Sequence, residues 1–439
     1  MQAYVLPALI KAVGLSKPTL HTIRIATLIL VLCSASTVTV VAQQPSDDSQ
    51  QQQTIRLLVE KIEKLEARVA QLESSRQPTP PPTANTGEAG PSSTAPSEAG
   101  PGPVGESAEA ERMDPSRTLL RMRGFGDITF HGDDAKGDHT AFSLGQLDLF
   151  VTSDVSEKFH FLSEIVFEAG QDNNFGVDVE RLLMQYSHND YFNVAIGRFH
   201  TAIGYYNTAY HHSTWLQTAT GRPFLFAFED QGGILPVHNV GVSVSGLVPS
   251  GKLGLHYVAE LGNGRASQSP NAEPVQNVVA EKNGKAFNLG LFARPTAVPG
   301  LQVGVSVYHD KLIPNNVPTV SETIVAAHAV LVRPNFEWLN EGVVIRHAPQ
   351  GISHVYETPG FYTQVSKRIG SFRPYLRYQY VNASDTEPIF PTVGLRQGPS
   401  VGLRYDASES VAFKLQYDYT DFRHQQTVNG LAMQLGFTF

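Results

Sequence analysis

Between Asn429 and Phe439 the chain reads NGLAMQLGFTF, and large apolar residues occupy every second position: Leu431, Met433, Leu435, Phe437 and Phe439. Ala432, Gln434, Gly436 and Thr438 fill the positions between them. A period of two describes a β-strand with one apolar face and one smaller or polar face. The pattern recurs upstream. Leu120, Met122, Gly124, Gly126, Ile128 and Phe130 alternate with Arg121, Arg123, Phe125, Asp127 and Thr129. Leu147, Leu149 and Val151 oppose Gln146, Asp148 and Phe150, and Phe159, Phe161, Ile165 and Phe167 oppose His160, Glu164 and Glu168. Similar runs follow at Val240–Val244, Leu253–Tyr257, Phe287–Leu291, Leu301–Val307, Leu376–Tyr380, Val401–Tyr405 and Val411–Tyr419. Each is near the ~10 residues that a tilted membrane strand needs. Around Val177–Ser187 and Ile324–Arg346 the alternation is poor, and strands are placed there by continuity.

Connections alternate in length as well. Short turns fall at 153–158, 188–190, 249–252, 295–300, 333–335 and 407–410, with longer loops at 131–140, 200–236, 262–283, 311–319 and 382–393. Short turns at one end and long loops at the other are the asymmetry of outer-membrane barrels. The expectation is an all-β fold: a transmembrane antiparallel β-barrel of about 16 strands, an even number as in such barrels. A barrel of that size leaves an aqueous channel rather than a packed interior. The last strand alone would also suit the edge of a soluble sandwich; the repeated strands and the turn asymmetry favour a closed barrel.

The amino end adds an address. Lys11, Lys17 and Arg24 precede the apolar stretch Ile25–Leu32, then Ser34–Thr37 and Val38–Ala42, with a Val40-x-Ala42 cleavage pair. That is a secretory signal over 1–42, with an uncleaved inner-membrane anchor as the competing reading. The long basic region is also consistent with translation starting downstream of Met1. Within 43–73, Ile55, Ile62 and Val69 at a and Leu58, Leu65 and Leu72 at d form a short coiled-coil helix. It covers fewer than three heptads, too few for stability alone, and a lone amphipathic helix is the alternative. Residues 74–116, rich in Pro, Ser and Gly, cannot bury enough apolar surface to fold and read as a disordered linker. The barrel domain is expected over 117–439.

Composition excludes other classes. Net charge is −8, so there is no basic footprint for nucleic acid. Cys33 is the single cysteine, which leaves no disulfide framework and no cysteine-based zinc site. No GxSxG, HExxH or phosphate-loop motif occurs, so no enzyme is indicated, and no motif requires a cofactor.

Gly197-Arg198-Phe199-His200…Gly204, Arg373-Pro374-Tyr375-Leu376-Arg377-Tyr378 and Lys414-Leu415-Gln416-Tyr417-Asp418-Tyr419 resemble short motifs of bacterial porins of the phosphate-selective O/P type. The terminal Phe439, with Leu435 and Phe437, resembles the assembly signal of outer-membrane proteins. The resemblance implies a trimeric channel in the bacterial outer membrane for small anions or polar solutes.

In such a barrel, lumen-facing charges tune selectivity. Arg121, Arg123, Arg377, Arg404 and Lys414 form a basic group that closure gathers into one wall, and Asp148, Glu164 and Glu168 form an acidic patch. The expectation is a transverse field across one pore, set against ordinary solvation of the lumen. The 200–236 stretch is the best candidate to fold inward and narrow the channel, with His200, Tyr205, His211, His212 and Trp215 within it. Its histidines lack metal-ligand spacing. Lipid and small polar or anionic solutes are the expected partners of a porin. A barrel tethered to the cell wall through the coiled coil is the main alternative, and an outer-membrane enzyme is a more remote one.

Overall fold

The computed structural model describes residues 119–170, 173–210, 213–268 and 274–439. The signal, coiled coil and linker expected over 1–116 lie outside the described residues, as do His211 and His212.

Among the described residues sixteen strands close into one antiparallel barrel. They are β1 (Leu119–Asp133), β2 (Ala141–Asp154), β3 (Phe159–Ala169), β4 (Phe175–Asn189), β5 (Phe192–His200), β6 (His238–Val248), β7 (Leu255–Gly262) and β8 (Ala286–Ala293). Then come β9 (Leu301–Leu312), β10 (Val320–Arg333), β11 (Phe336–Pro349), β12 (Tyr356–Lys367), β13 (Phe372–Asn382), β14 (Leu395–Asp406), β15 (Val411–Phe422) and β16 (Val428–Thr438). Each strand pairs with its sequence neighbours, and β16 returns to β1, so no strand edge stays open.

Alternation decides the two faces. On β1 and β16, Leu120, Met122, Ile128, Leu431 and Met433 are exposed on the outside, while Phe125, Asp127, Gln434 and Thr438 are buried within. The exposed apolar side chains continue around the barrel through Phe142, Leu144, Ile196, Leu289, Val305, Leu376, Val401 and Phe413. This is the outer surface that hydrocarbon solvates, where an Arg or Lys would cost about 2–4 kcal/mol at mid-depth. The fold is an outer-membrane β-barrel.

The closing seam is fitted to its residues. Phe439 and Gly124 exchange backbone hydrogen bonds of 2.9 and 3.0 Å. A Cβ on Gly124 would lie 2.2 Å from the Phe439 ring, and one on Gly126 would lie 2.6 Å from the ring of Phe437. Only glycine leaves the rings room to lie across the neighbouring strand.

Both poorly alternating segments are strands, each for its own reason. In β4 the register against β3 shifts between Glu164 and Ile165, so that Arg181 pairs with Glu164 and Val179 with Ile165. Phe175, Val177 and Val179 are exposed before this bulge, and Leu182 and Met184 after it. The outward phase moves by one residue, as a β-bulge requires. In β10 and β11 the phase is regular, but the inner face is apolar too: Ile324, Ala326, Val330, Leu339, Val343 and Ile345 are buried.

Candidate channel constriction

The apolar inner face of β10 and β11 is covered by the loop that follows β5. That loop, 201–237, turns into the barrel, carries a helical turn α1 (Tyr206–Ala209) and a 3-10 turn (Phe224–Phe226), and buries Ile203, Tyr206, Leu225, Phe226, Ile234 and Leu235. These pack with Tyr308, Ile324, Leu339, Tyr362 and Val381 of the wall in one hydrophobic cluster. Part of the interior is therefore packed core, which corrects the expectation of a wholly aqueous lumen.

A buried loop must satisfy its backbone groups, and here the wall supplies the partners. Glu341 on β11 accepts the N–H groups of Tyr205 (2.5 Å) and Tyr206 (2.9 Å) and the hydroxyl of Tyr362 (2.6 Å). Glu337 accepts the hydroxyls of Tyr210 (2.8 Å) and Thr218 (3.2 Å), and Gln379 accepts the N–H of Phe224 (2.8 Å). On the other arc, Arg377 donates to the Gly221 carbonyl (3.1 Å). Arg404 donates to those of Trp215 (2.6 Å) and Gln217 (2.9 Å), and Lys414 Nζ to those of Thr214 (2.5 Å) and Ala219 (3.1 Å). The loop thus spans the lumen from β5 to the closing seam, where the Trp215 ring lies 6.3 Å from Phe125 and 5.3 Å from the Arg123 guanidinium.

Arg123, Arg377, Arg404 and Lys414 do share one arc, since β13 to β16 adjoin β1. Three of them divide their donors between loop carbonyls and the wall, where Arg377 donates to Gln364 (2.8 Å), Arg404 pairs with Asp406 (2.7 Å) and Lys414 donates to Gln434 (2.9 Å). Arg123 Nε donates to Thr438 Oγ1 (3.1 Å). Arg121 is exposed and pairs with Asp154 (2.9 Å) near the turns. The arc is a docking strip for the loop, not an open basic wall. Two side chains of the acidic arc are answered in a similar way. Asp148 and Glu164 are buried, Glu164 pairs with Arg181 (2.5 Å), and Glu168 accepts from Gln146 (3.0 Å). Because β2 adjoins β1, the two arcs lie side by side and do not face each other. The transverse field is not what this arrangement provides.

His200 is buried at the end of β5, with Nδ1 2.9 Å from the Asn207 carbonyl oxygen and its ring 4.8 Å from that of His238. Tyr205 packs against Tyr210 and His328. Two further loops fold inward at the same end. From the loop after β7, Arg265 pairs with Glu322 (3.0 Å) and Lys282 with Asp310 (2.5 Å). From the loop after β13, Glu387 meets His347 Nδ1 (2.5 Å), whose Nε2 lies 2.8 Å from Glu322.

Two of the concavities beside the 201–237 loop carry charged and polar side chains in their lining. One, of about 420 Å³, opens toward the long loops along β13 to β1 and is lined by His131, Arg222, Arg377, Arg396, Asp418 and Thr420. The other, of about 330 Å³, opens along β7 to β10 beneath the loop and is lined by Tyr205, Thr208, Arg294, Gln302, Ser306 and His328. Glu337, Glu341, Arg222 and Arg396 take part in this architecture without having stood out in the sequence. The single signal for the two glutamates was their inward phase on β11.

No protein-family model matches the chain, and neither does any curated relative. Its fold is that of solved outer-membrane channels. An anion-selective porin from Comamonas acidovorans is 11% identical over 73% of this chain and 100% of that chain, with a TM-score of 0.54. The outer-membrane channel DcaP of Acinetobacter baumannii is 12% identical over 74% of this chain and 99% of that one, with a TM-score of 0.52. OmpT of Vibrio cholerae, solved in a trimer form, is 12% identical over 73% and 99%, with a TM-score of 0.51. At these identities the likeness is one of fold: the chain has the architecture of bacterial outer-membrane porins.

Proposed function

We propose that the chain forms a water-filled channel across the bacterial outer membrane for passive diffusion of small polar or charged solutes, with anions favoured. The observation that carries this reading is the 201–237 loop, held inside a closed, lipid-facing barrel with concavities on both sides of it that contain charged and polar side chains. A barrel serving only as a tether has no need of such a loop pinned by Arg377, Arg404 and Lys414. The cluster of Arg222, Arg377 and Arg396 at the loop-side concavity supports anions, as does the anion-selective porin of the same fold. The resemblance to O/P-type porins makes phosphate one anion to test and a trimer the expected assembly, with the coiled coil and linker preceding the barrel. Purified protein in planar bilayers is expected to give discrete conductance steps in KCl and an anion-selective reversal potential. Absence of steps would overturn the channel in favour of a tether or an enzyme.

A further inference from the structure

Arginines in this barrel nearly all have a partner. Among the described residues, only the Arg346 and Arg396 guanidiniums make neither a hydrogen bond nor an ion pair, and Arg346 is exposed on the outward phase of β11. Arg396 stands at the loop end of β14, exposed, with its guanidinium carbon 3.6 Å from the centre of the Phe224 ring and 5.7 Å from that of Phe422. One aromatic ring comes from the inward loop and the other from β15, so the fork is held by flanking rings while all its donors remain available.

Arg396, Phe224 and Phe422 also form the common wall of two concavities. The first is the 420 Å³ vestibule already described. The second, about 440 Å³, lies under the loop after β13; Phe224, Ile234, Val381, Leu395 and Phe422 line one side of it, and Asp385, Thr392, Arg423 and Gln425 make the rest polar. Other charges nearby are engaged. Arg423 pairs with Asp385 (2.8 Å), while Asp418 accepts from Gln416 (2.9 and 3.0 Å) and from the Ser400 hydroxyl.

We infer that Arg396 is the centre of a binding station at the outer mouth for small carboxylates bearing an apolar or aryl tail. The inference rests on the channel reading and names the class of solute. A planar guanidinium with free donors matches a carboxylate bidentately. The apolar side of the adjoining concavity, where the Phe224 and Phe422 rings stand with Ile234, Val381 and Leu395, takes the tail. A chain-entry station of this kind lies before the constriction and raises the local concentration of its solute.

Calorimetry on the detergent-purified full chain tests this with benzoate, acetate and inorganic phosphate as probes. Benzoate is expected to bind, acetate at least tenfold more weakly, and Arg396→Gln to lose at least tenfold in benzoate affinity. Arg396→Lys, which keeps the charge without the planar fork, should fall between. Because Arg396 makes no hydrogen bond or ion pair and only ring contacts are lost, these variants should assemble normally. Equal benzoate affinity in wild type and R396Q would overturn the station, as would no benzoate binding at all. Acetate or phosphate binding as tightly as benzoate would overturn the tail site. Bilayer recordings separate the two readings: conductance steps without benzoate binding refute the station alone, and binding without steps refutes the channel alone.

Discussion

The ring of Phe439 lies over Gly124 at a distance that no β-carbon could share, 2.2 Å from where one would stand. The last residue of the chain is thereby seated on the first strand. A slip of the seam by two residues would set Phe437 over Gly124 and leave Phe439 opposite Met122, so the glycine pair specifies register as well as closure.

Deleting Phe439, or replacing Gly124 with Val, should therefore impair assembly before it alters conduction. Overpacking of this kind costs about 1–3 kcal/mol. Heat-modifiable mobility on gels should report a reduced folded fraction in the outer membrane, with unchanged unit conductance in the channels that do form. Normal folded yield in both variants would remove the seam's role.

Lys414→Met keeps the length of the side chain and deletes its charge. It strands the carbonyls of Thr214 and Ala219, which Lys414 now satisfies. Buried unpaired acceptors cost about 1–3 kcal/mol each. The expected result is a looser inward loop, seen as larger and noisier current steps with the barrel intact by circular dichroism.

Glu341→Leu should act on the opposite anchor, where one carboxylate holds Tyr205, Tyr206 and Tyr362. Loss of these three bonds is expected to expose the loop to added protease at the outer face. Glu341→Gln, which keeps one acceptor, should be cut more slowly than the leucine variant, and equal cleavage of both would argue against the carboxylate as anchor.

Asp230 gives the loop a pH dependence. Partial withdrawal from water, with Glu168, Glu180 and Glu229 nearby, pushes its carboxyl up from 3.8 to about 6. The folded loop then binds this proton more tightly than an unfolded chain does. Its contribution is full below about pH 4, declines as pH rises to about 6, and is level above that. Hydrogen-exchange protection around residues 228–236, taken relative to the intrinsic rate at each pH, should fall through that window and stay level in Asp230→Asn.

Much of this was legible from alternation. Arg121–Phe130 and Leu431–Phe439 show their faces plainly because each strand meets lipid on one side and polar interior on the other. β4 hid its phase, because the bulge at Glu180 and Arg181 puts two successive polar residues inward. β10 and β11 hid theirs because the loop replaces water on their inner face, so Ile324 and Leu339 look no different from lipid-facing residues. The inward phase of Arg377, Arg404 and Lys414 was readable, but their partners are carbonyls up to 200 residues away in sequence. No periodicity encodes such a contact. Arg396 was overlooked for a related reason: a free guanidinium is defined by what it does not touch.

The two concavities lie on nearly opposite arcs of the barrel, one along β13 to β1 and the other along β7 to β10. A solute that enters above the inward loop and leaves beneath it must travel sideways as well as down. Tyr362 on β12, between the two arcs, packs with Tyr206 and Phe226 of the loop as buried core, so a solute passing between the concavities has no direct way through it. Rigid, elongated molecules would be turned away by such an offset even where their cross-section fits, so shape would sort solutes alongside charge.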